Sequence, residues 1–387
     1  MSASGEGCLG LVLTGGGART AYQVGALRAI AHWLPRGAPI PFPVLCGTSA
    51  GAINAVALAA HAGNFRQGVG RLASVWGSLS APKVVRSDSR ALLQGAARWI
   101  FTLFARGLGR YNPSSLLDPS PLRVLLERRL PFPSIDRAIA EGALRAVCVT
   151  AFSYTTARSV SFYQGSQDLK PWQRTERMGR PVRLGADHLM ASAAIPFLFR
   201  AVALDNEYFG DGSMRQLAPI SPALHLGAGR LLLIDVKGAA QPVLQAPEGY
   251  PSFAHIGGHV LNCIFLDSID ADLERLRRIN EALVRVSRVT RSRLGLRPVD
   301  TLLIAPSADL SALAFRHRDA LPRALRSVLG RIGALGEEGA DLISYLLFEK
   351  SYCREAMALG FEDATRRRDE ILAFLDHATL PEIGVGS

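Results

Sequence analysis

What this sequence lacks first is a long apolar run: no stretch approaches the roughly 18 residues that a membrane-spanning helix needs. A helical span within these residues is therefore excluded. Cysteine is also scarce, with five residues at Cys8, Cys46, Cys148, Cys263 and Cys353, all far apart. That spacing argues against a disulfide scaffold and predicts buried thiols in a reducing compartment. The opening Met1-Ser2-Ala3-Ser4-Gly5-Glu6 carries neither the basic nor the apolar segment of a secretory leader, so a cytoplasmic protein is expected. Acidic residues fall short of basic ones, 33 against 44, leaving a net charge of +11. An excess of that sign draws a protein to anionic surfaces, either lipid headgroups or nucleic acid. The arginines are scattered, and neither zinc-finger spacing nor an aromatic RNA-binding signature accompanies them, so nucleic acid is not expected as a partner. Peripheral contact with an anionic membrane remains open.

The chain of 387 residues is 48% hydrophobic and 20% charged, the profile of a folded protein with a sizeable core rather than a disordered one. Its most informative stretch is Pro43-Val44-Leu45-Cys46-Gly47-Thr48-Ser49-Ala50-Gly51: a short apolar run, then Gly-x-Ser-x-Gly, then an alanine-rich helical pattern. A serine on a tight strand-to-helix turn is lifted clear of the sheet, and Gly47 and Gly51 leave room for the backbone to turn. Ser49 is thus a candidate nucleophile. The plainer reading is an ordinary Gly/Ser turn, because the pattern alone is common.

Upstream, Leu9 to Thr14 reads as a buried strand, and Gly15-Gly16-Gly17-Ala18-Arg19 leads into a helical pattern from Thr20 to Leu34. Glycines at such a junction leave N–H groups bare at a helix N-terminus, where an anion is favoured. As a dinucleotide fingerprint the loop is poor, since Thr20 stands where the last glycine should be. As a P-loop it lacks the lysine. As an oxyanion hole for an acyl-transfer serine it is well placed, on the strand before the one that carries Ser49.

Further along, helices are expected at residues 50–62 and 64–80, and an aromatic, arginine-flanked stretch at 90–110 suits either a lid, a membrane contact or plain core. Paired strands are expected near 143–153 and 159–164, a polar loop at 165–183, and a helix at 186–194 ending at Pro196. Phe197, Leu198 and Phe199 then suit an acyl channel or ordinary packing. A strand or hairpin arm at 201–209 delivers Gly210-Asp211-Gly212-Ser213, and residues 231–236 form another buried strand. From about 250 helices dominate, over 260–289, 312–332, 338–359 and 365–375, with one strand at 301–305. The proline-rich stretch 241–252 marks the expected boundary between a core of residues 8–240 and a helical C-terminal region, 250–387, packed on it.

A nucleophilic serine needs a proton acceptor. None of His225, His255, His259, His317 and His377, which follow Ser49 as an α/β-hydrolase order requires, lies beside a recognisable signature. His255 and His259 have metal-like spacing, but the intervening Gly257 and Gly258 and the missing glutamate argue against zinc. Only one strand precedes Ser49, which points away from the α/β-hydrolase fold. Asp211 is the remaining candidate, its flanking glycines permitting close approach, provided burial raises its pKa.

At this point the motifs together resemble the patatin-like phospholipase family. Its glycine-rich motif is matched by Gly15 to Arg19, its nucleophile motif by Gly47 to Gly51, its Asp-Gly motif by Asp211-Gly212, and its Ala-Ser-x-Ala-x-Pro segment by residues 191–196. The resemblance covers roughly residues 8–220. It implies a three-layer α/β/α fold with a mainly parallel sheet and a Ser-Asp dyad of Ser49 and Asp211. It further implies an oxyanion hole from the Gly15–Ala18 backbone with Arg19 steadying the loop, and hydrolysis of phospholipid or lysophospholipid acyl esters without metal or cofactor. Thr20, after the arginine, and Ser213, after Asp-Gly, depart from the family's usual small residues. They motivate a second expectation, a lipid-binding protein that keeps the fold without turnover.

Overall fold

Residues 7–86, 117–238, 252–265, 268–294 and 296–376 are described by the structure, a computed structural model. The stretch at 90–110, most of the proline-rich boundary and His377 lie outside them.

The apolar runs that read as strands enter one sheet, joined by two segments that did not read as strands. Five neighbours are parallel: β10 (Asp300–Ile304), β9 (Ala228–Ile234), β1 (Cys8–Leu13), β2 (Val44–Thr48) and β3 (Ala146–Ser153). Antiparallel β4 (Arg158–Gly165) follows, then β6 (Arg177–Pro181) and the short β5 (Trp172–Gln173) at the edge. The hairpin of β7 (Val202–Leu204) and β8 (Glu207–Asp211) joins β3 through β8.

The central strands are buried on both faces, which is why they read as continuous apolar runs rather than alternating ones. Leu11 and Leu13 of β1 face one core with Leu232 and Ile234 of β9; Val12 faces the other with Leu231 and Leu233. Over the first face lie α1 (Ala21–Trp33), α2 (Ala50–Ala59), α3 (Phe65–Gly77) and C-terminal helices such as Lys350–Arg366; over the second lie Ser221–His225 and Ser268–Val284. Helix, sheet and helix make the three expected layers.

Several expectations fail locally: the helix expected over 312–332 is two, Leu310–Arg316 and Arg323–Arg331, with Pro322 in the break, and that over 338–359 is also two, Ala340–Leu346 and Lys350–Arg366. The polar loop at 165–183 contains β5 and β6; they were hidden because β6 is the arginine-bearing sequence Arg-Met-Gly-Arg-Pro, as suits a strand near a sheet edge rather than a buried one. The single helix over 260–289 is three: Phe253–Phe265, Ser268–Val284 and Arg288–Leu294. Leu261 and Phe265 pack into the first core, whereas Ile269, Leu273 and Leu276 pack into the second. One straight helix cannot serve both faces of a sheet. The strand expected at 301–305 forms as β10, and it pairs with β9, so the region after residue 250 supplies an edge of the same sheet. Among the described residues no helix is long and apolar enough to cross a membrane.

Candidate active site

The site is assembled by strand register. β2 runs parallel to β3 and ends with Thr48 opposite Thr150; β8 runs antiparallel to β3 and ends with Asp211 opposite Ala151. Because β4 occupies the other flank of β3 along its whole length, β2 and β8 share one flank and point at each other. Ser49 and Asp211 are the residues where the two strand ends meet.

Ser49 has φ of 54°, a left-handed conformation that non-glycine residues seldom adopt, as the strained elbow requires. Its neighbours must be glycine. A Cβ on Gly51 would lie 2.4 Å from the Thr14 carbonyl oxygen, and one on Gly47 2.5 Å from that of Gly51. The elbow is held by Ser192, whose hydroxyl accepts the Ser49 N–H at 2.8 Å and donates to the Thr150 carbonyl at 2.6 Å. Two residues on, the Ala194 carbonyl accepts the Asp211 N–H at 2.9 Å. The Ala191 to Pro196 segment thus clamps both strand ends at once.

Asp211 is fully buried. Its Oδ1 accepts the Ser213 N–H at 2.9 Å, while Oδ2 has no hydrogen-bond partner among the described residues. Burial pushes the carboxyl up to about 7, against smaller opposing pulls from the Ser49 hydroxyl and the Ser213 hydroxyl and N–H. Gly212 follows because a Cβ there would lie 2.0 Å from the Thr150 carbonyl oxygen.

The glycine loop borders the same point. A Cβ on Gly15 would lie 3.2 Å from that of Ser49 and 2.5 Å from the Ser213 hydroxyl. Gly16 and Gly17 both have positive φ, 154° and 56°. The N–H groups of Gly15, Gly16, Gly17 and Ala18 have no acceptor among the described residues, whereas the Arg19 N–H is given to the Gly16 carbonyl at 3.1 Å. Thr20 fits the loop without strain, its hydroxyl donating to the Gly17 carbonyl at 2.7 Å.

Beneath the loop runs a buried polar chain. The Thr14 hydroxyl donates to Asp235 Oδ1 at 2.8 Å, Gln23 donates to the Thr14 carbonyl at 2.9 Å, and Asn54 links Gln23 to the Trp76 indole. Burial raises Asp235 to about 6. In the sequence Ser192 stands out only as part of the Ala-Ser-x-Ala-x-Pro segment, and Thr14 and Asp235 only as strand ends; the aspartate closing the apolar run Leu231-Leu232-Leu233-Ile234 is the visible signal for the last.

From Ser49 an apolar cavity of about 300 Å³ extends between α2, α3 and the helix Ser120–Arg129, lined by Ile53, Leu72, Trp76, Leu126, Ile195 and Phe199 among others. Phe199 joins this lining; Phe197, by contrast, is exposed. The histidines that might have served Ser49 are occupied elsewhere: His225 stacks on Trp172, His317 pairs with Glu355, and His255 faces His259.

With this geometry in view, the family model described as patatin-like phospholipase matches residues 11–224, more than half of the chain. The chain belongs to the patatin-like phospholipase family. Membership supports lipid hydrolysis as the class of activity, and the matched range contains Ser49, Asp211 and the glycine loop. Among solved structures the patatin-like chain is similar to VipD from Legionella pneumophila, with 14% identity, a TM-score of 0.36, and coverage of 98% of this chain and 82% of that one. It is also similar to the SpcU–ExoU complex from the type III secretion system of Pseudomonas aeruginosa, with 16% identity, a TM-score of 0.23, and coverage of 96% and 80%. At such scores neither likeness bears on mechanism. No curated protein matches the sequence.

Proposed function

We propose that the protein is a serine lipid acyl hydrolase that cleaves fatty-acyl esters of phospholipids or lysophospholipids through an acyl-enzyme, with Ser49 as nucleophile and Asp211 as general base. The observation that carries this reading is the convergence of two opposed strand ends on one flank of β3, with a buried carboxylate on one and, after the other, a strained serine that lines an apolar cavity. An acyl chain lying along Ile53, Leu72 and Trp76 brings its ester carbonyl to Ser49, each buried methylene contributing about 0.8 kcal/mol.

Ser49 Oγ attacks the carbonyl carbon while its proton passes to Asp211, and the oxyanion is held by N–H groups of the Gly15–Ala18 loop. Collapse breaks the ester bond, and the leaving alcohol takes the proton from Asp211. Water then attacks the acyl-enzyme, giving its proton to Asp211; fatty acid leaves and Ser49 Oγ is reprotonated. A carboxyl raised to about 7 is a far better proton acceptor than an ordinary one, and still ionises near neutrality. The net charge of +11 suits an anionic lipid surface.

The test is lipid hydrolysis followed by mass spectrometry, with fluorophosphonate labelling, for wild type, Ser49→Ala and Asp211→Asn. Wild-type turnover and labelling, both lost in Ser49→Ala, are expected. A wild type that binds lipid vesicles but neither labels nor releases fatty acid would favour the binding-only alternative.

A further inference from the structure

The glycine loop is built from the first twenty residues but is held from the other end of the chain. Arg19 is buried, and its guanidinium points away from Ser49 into the C-terminal helices. Its Nε donates to Ser344 Oγ at 2.7 Å, and its Nη2 reaches Ser311 Oγ at 2.8 Å and Asp341 Oδ1 at 3.0 Å. The Tyr345 ring lies beneath it, 4.3 Å from the guanidinium carbon. The acceptors are themselves fixed: Asn262 donates to Asp341 Oδ2 at 2.8 Å, and the Tyr345 hydroxyl donates to Asn262 at 2.8 Å. The backbone is seated as closely, since a Cβ on Gly17 would lie 2.3 Å from the Tyr345 carbonyl oxygen. The helix Ala340–Leu346 therefore touches the loop both through its own backbone and through Arg19.

We propose that Asp341 and Ser344 are positioning residues for oxyanion stabilisation, acting through Arg19, so that the helices after residue 250 are a working part of the active site. The physical reason is the form of the loop. Three consecutive glycines have no side chains to hold their conformation, and an oxyanion hole works only if its donors are fixed before the charge develops. Here that rigidity comes from a planar guanidinium, whose forked donors fix orientation as well as distance. Its acceptors lie more than 240 residues away along the chain. The consequence for the protein is a route of control: whatever shifts the helix Ala340–Leu346 loosens the donors while the sheet still holds Ser49 and Asp211.

The inference rests on reading Ser49 and the glycine loop as an acyl-transfer centre, and the test separates the two. Turnover of p-nitrophenyl butyrate and the rate of fluorophosphonate labelling are measured for wild type, Asp341→Asn, Ser344→Ala and Glu355→Gln, with near-ultraviolet circular dichroism as the check of folding. Glu355 pairs with exposed Arg316 elsewhere in the C-terminal layer and serves as the control. Asp341→Asn is expected to lower kcat by about tenfold, and Ser344→Ala by a few fold, with KM within twofold and labelling slowed in the same proportion. Glu355→Gln stays at wild-type rates. Ser344→Ala removes two hydrogen bonds, from Arg19 Nε and to the Asp341 carbonyl, but no charge, so it keeps the test open if Asp341→Asn folds poorly. Folded variants with wild-type kcat, or a rise in KM at unchanged kcat, would overturn the proposal. A wild type that neither labels nor turns over removes the reading beneath it, and the proposal with it.

Discussion

The two halves of the candidate site are held in opposite ways. The elbow at Ser49 is supported from nearby in space by the sheet and the helix end beside it: Thr14 behind Gly51, Ser192 on its N–H, Thr150 behind Ser192. The glycine loop has only the Arg19 N–H and the Thr20 hydroxyl bonding its carbonyls from within, and its side-chain anchor, Arg19, is gripped from far along the chain by Ser311, Asp341 and Ser344. The first arrangement lies within residues 11–224, where the patatin-like model matches; the second reaches beyond it. The difference teaches that a serine on a strand end can be positioned by strand register and one neighbouring hydroxyl, whereas a run of glycines draws its rigidity from farther away.

The sharpest way to separate the halves is chemical. Ser49→Ala should cut acyl transfer by at least about 10³-fold, measured as fatty acid released, while leaving lipid binding and the melting temperature near wild type. Steric tests come next. Gly51→Val forces atoms against the Leu13 and Thr14 carbonyls at an elbow with no slack, and should cost at least about 3 kcal/mol in urea unfolding. Gly17→Ala adds a Cβ 2.3 Å from the Tyr345 carbonyl at a φ of 56°. It should cost somewhat less, about 1–3 kcal/mol, because the C-terminal helix can shift where the sheet cannot, and kcat should fall with it.

The pH dependence probes the elbow's partner. A carboxyl at about 7 when folded, against an ordinary 3.8, is protonated in both states below pH 4, so nothing is lost there. As pH rises to 7 the folded state must either keep its proton or bury a charge, and stability falls by up to about 4 kcal/mol. Asp211→Asn should therefore be more stable than wild type at pH 8 and nearly equal to it at pH 4, by denaturant titration. The wild-type kcat/KM should climb about tenfold per unit below pH 7 and level off above it, since only the ionised carboxylate accepts the proton. A profile flat from pH 5 to 9 would separate Asp211 from the proton transfer. The smallest effect expected is that of Ser192→Ala, about tenfold in kcat, because the elbow N–H loses one acceptor while its strand remains in place.

Much of this was legible in advance because it depends on residue type over short stretches. Glycines flanking Ser49, Asp211 before Gly212, and strands buried on both faces each leave a local mark. Where the mark was faint the reading slipped: β6 carries two arginines in five residues, and the helix break before Ser268 follows from which core each segment faces.

By itself the sequence determined the elbow, the glycine loop and the acid that follows them, since turns and close backbone approaches that leave no room for a Cβ are written in the glycines. Only the tertiary structure decided that β2 and β8 end opposite each other on one flank of β3, that Asp211 is sealed from water, and that Arg19 points to the far end of the chain. Pairing, burial and long-range contact are properties of neighbours in space, and no short window of residues contains them.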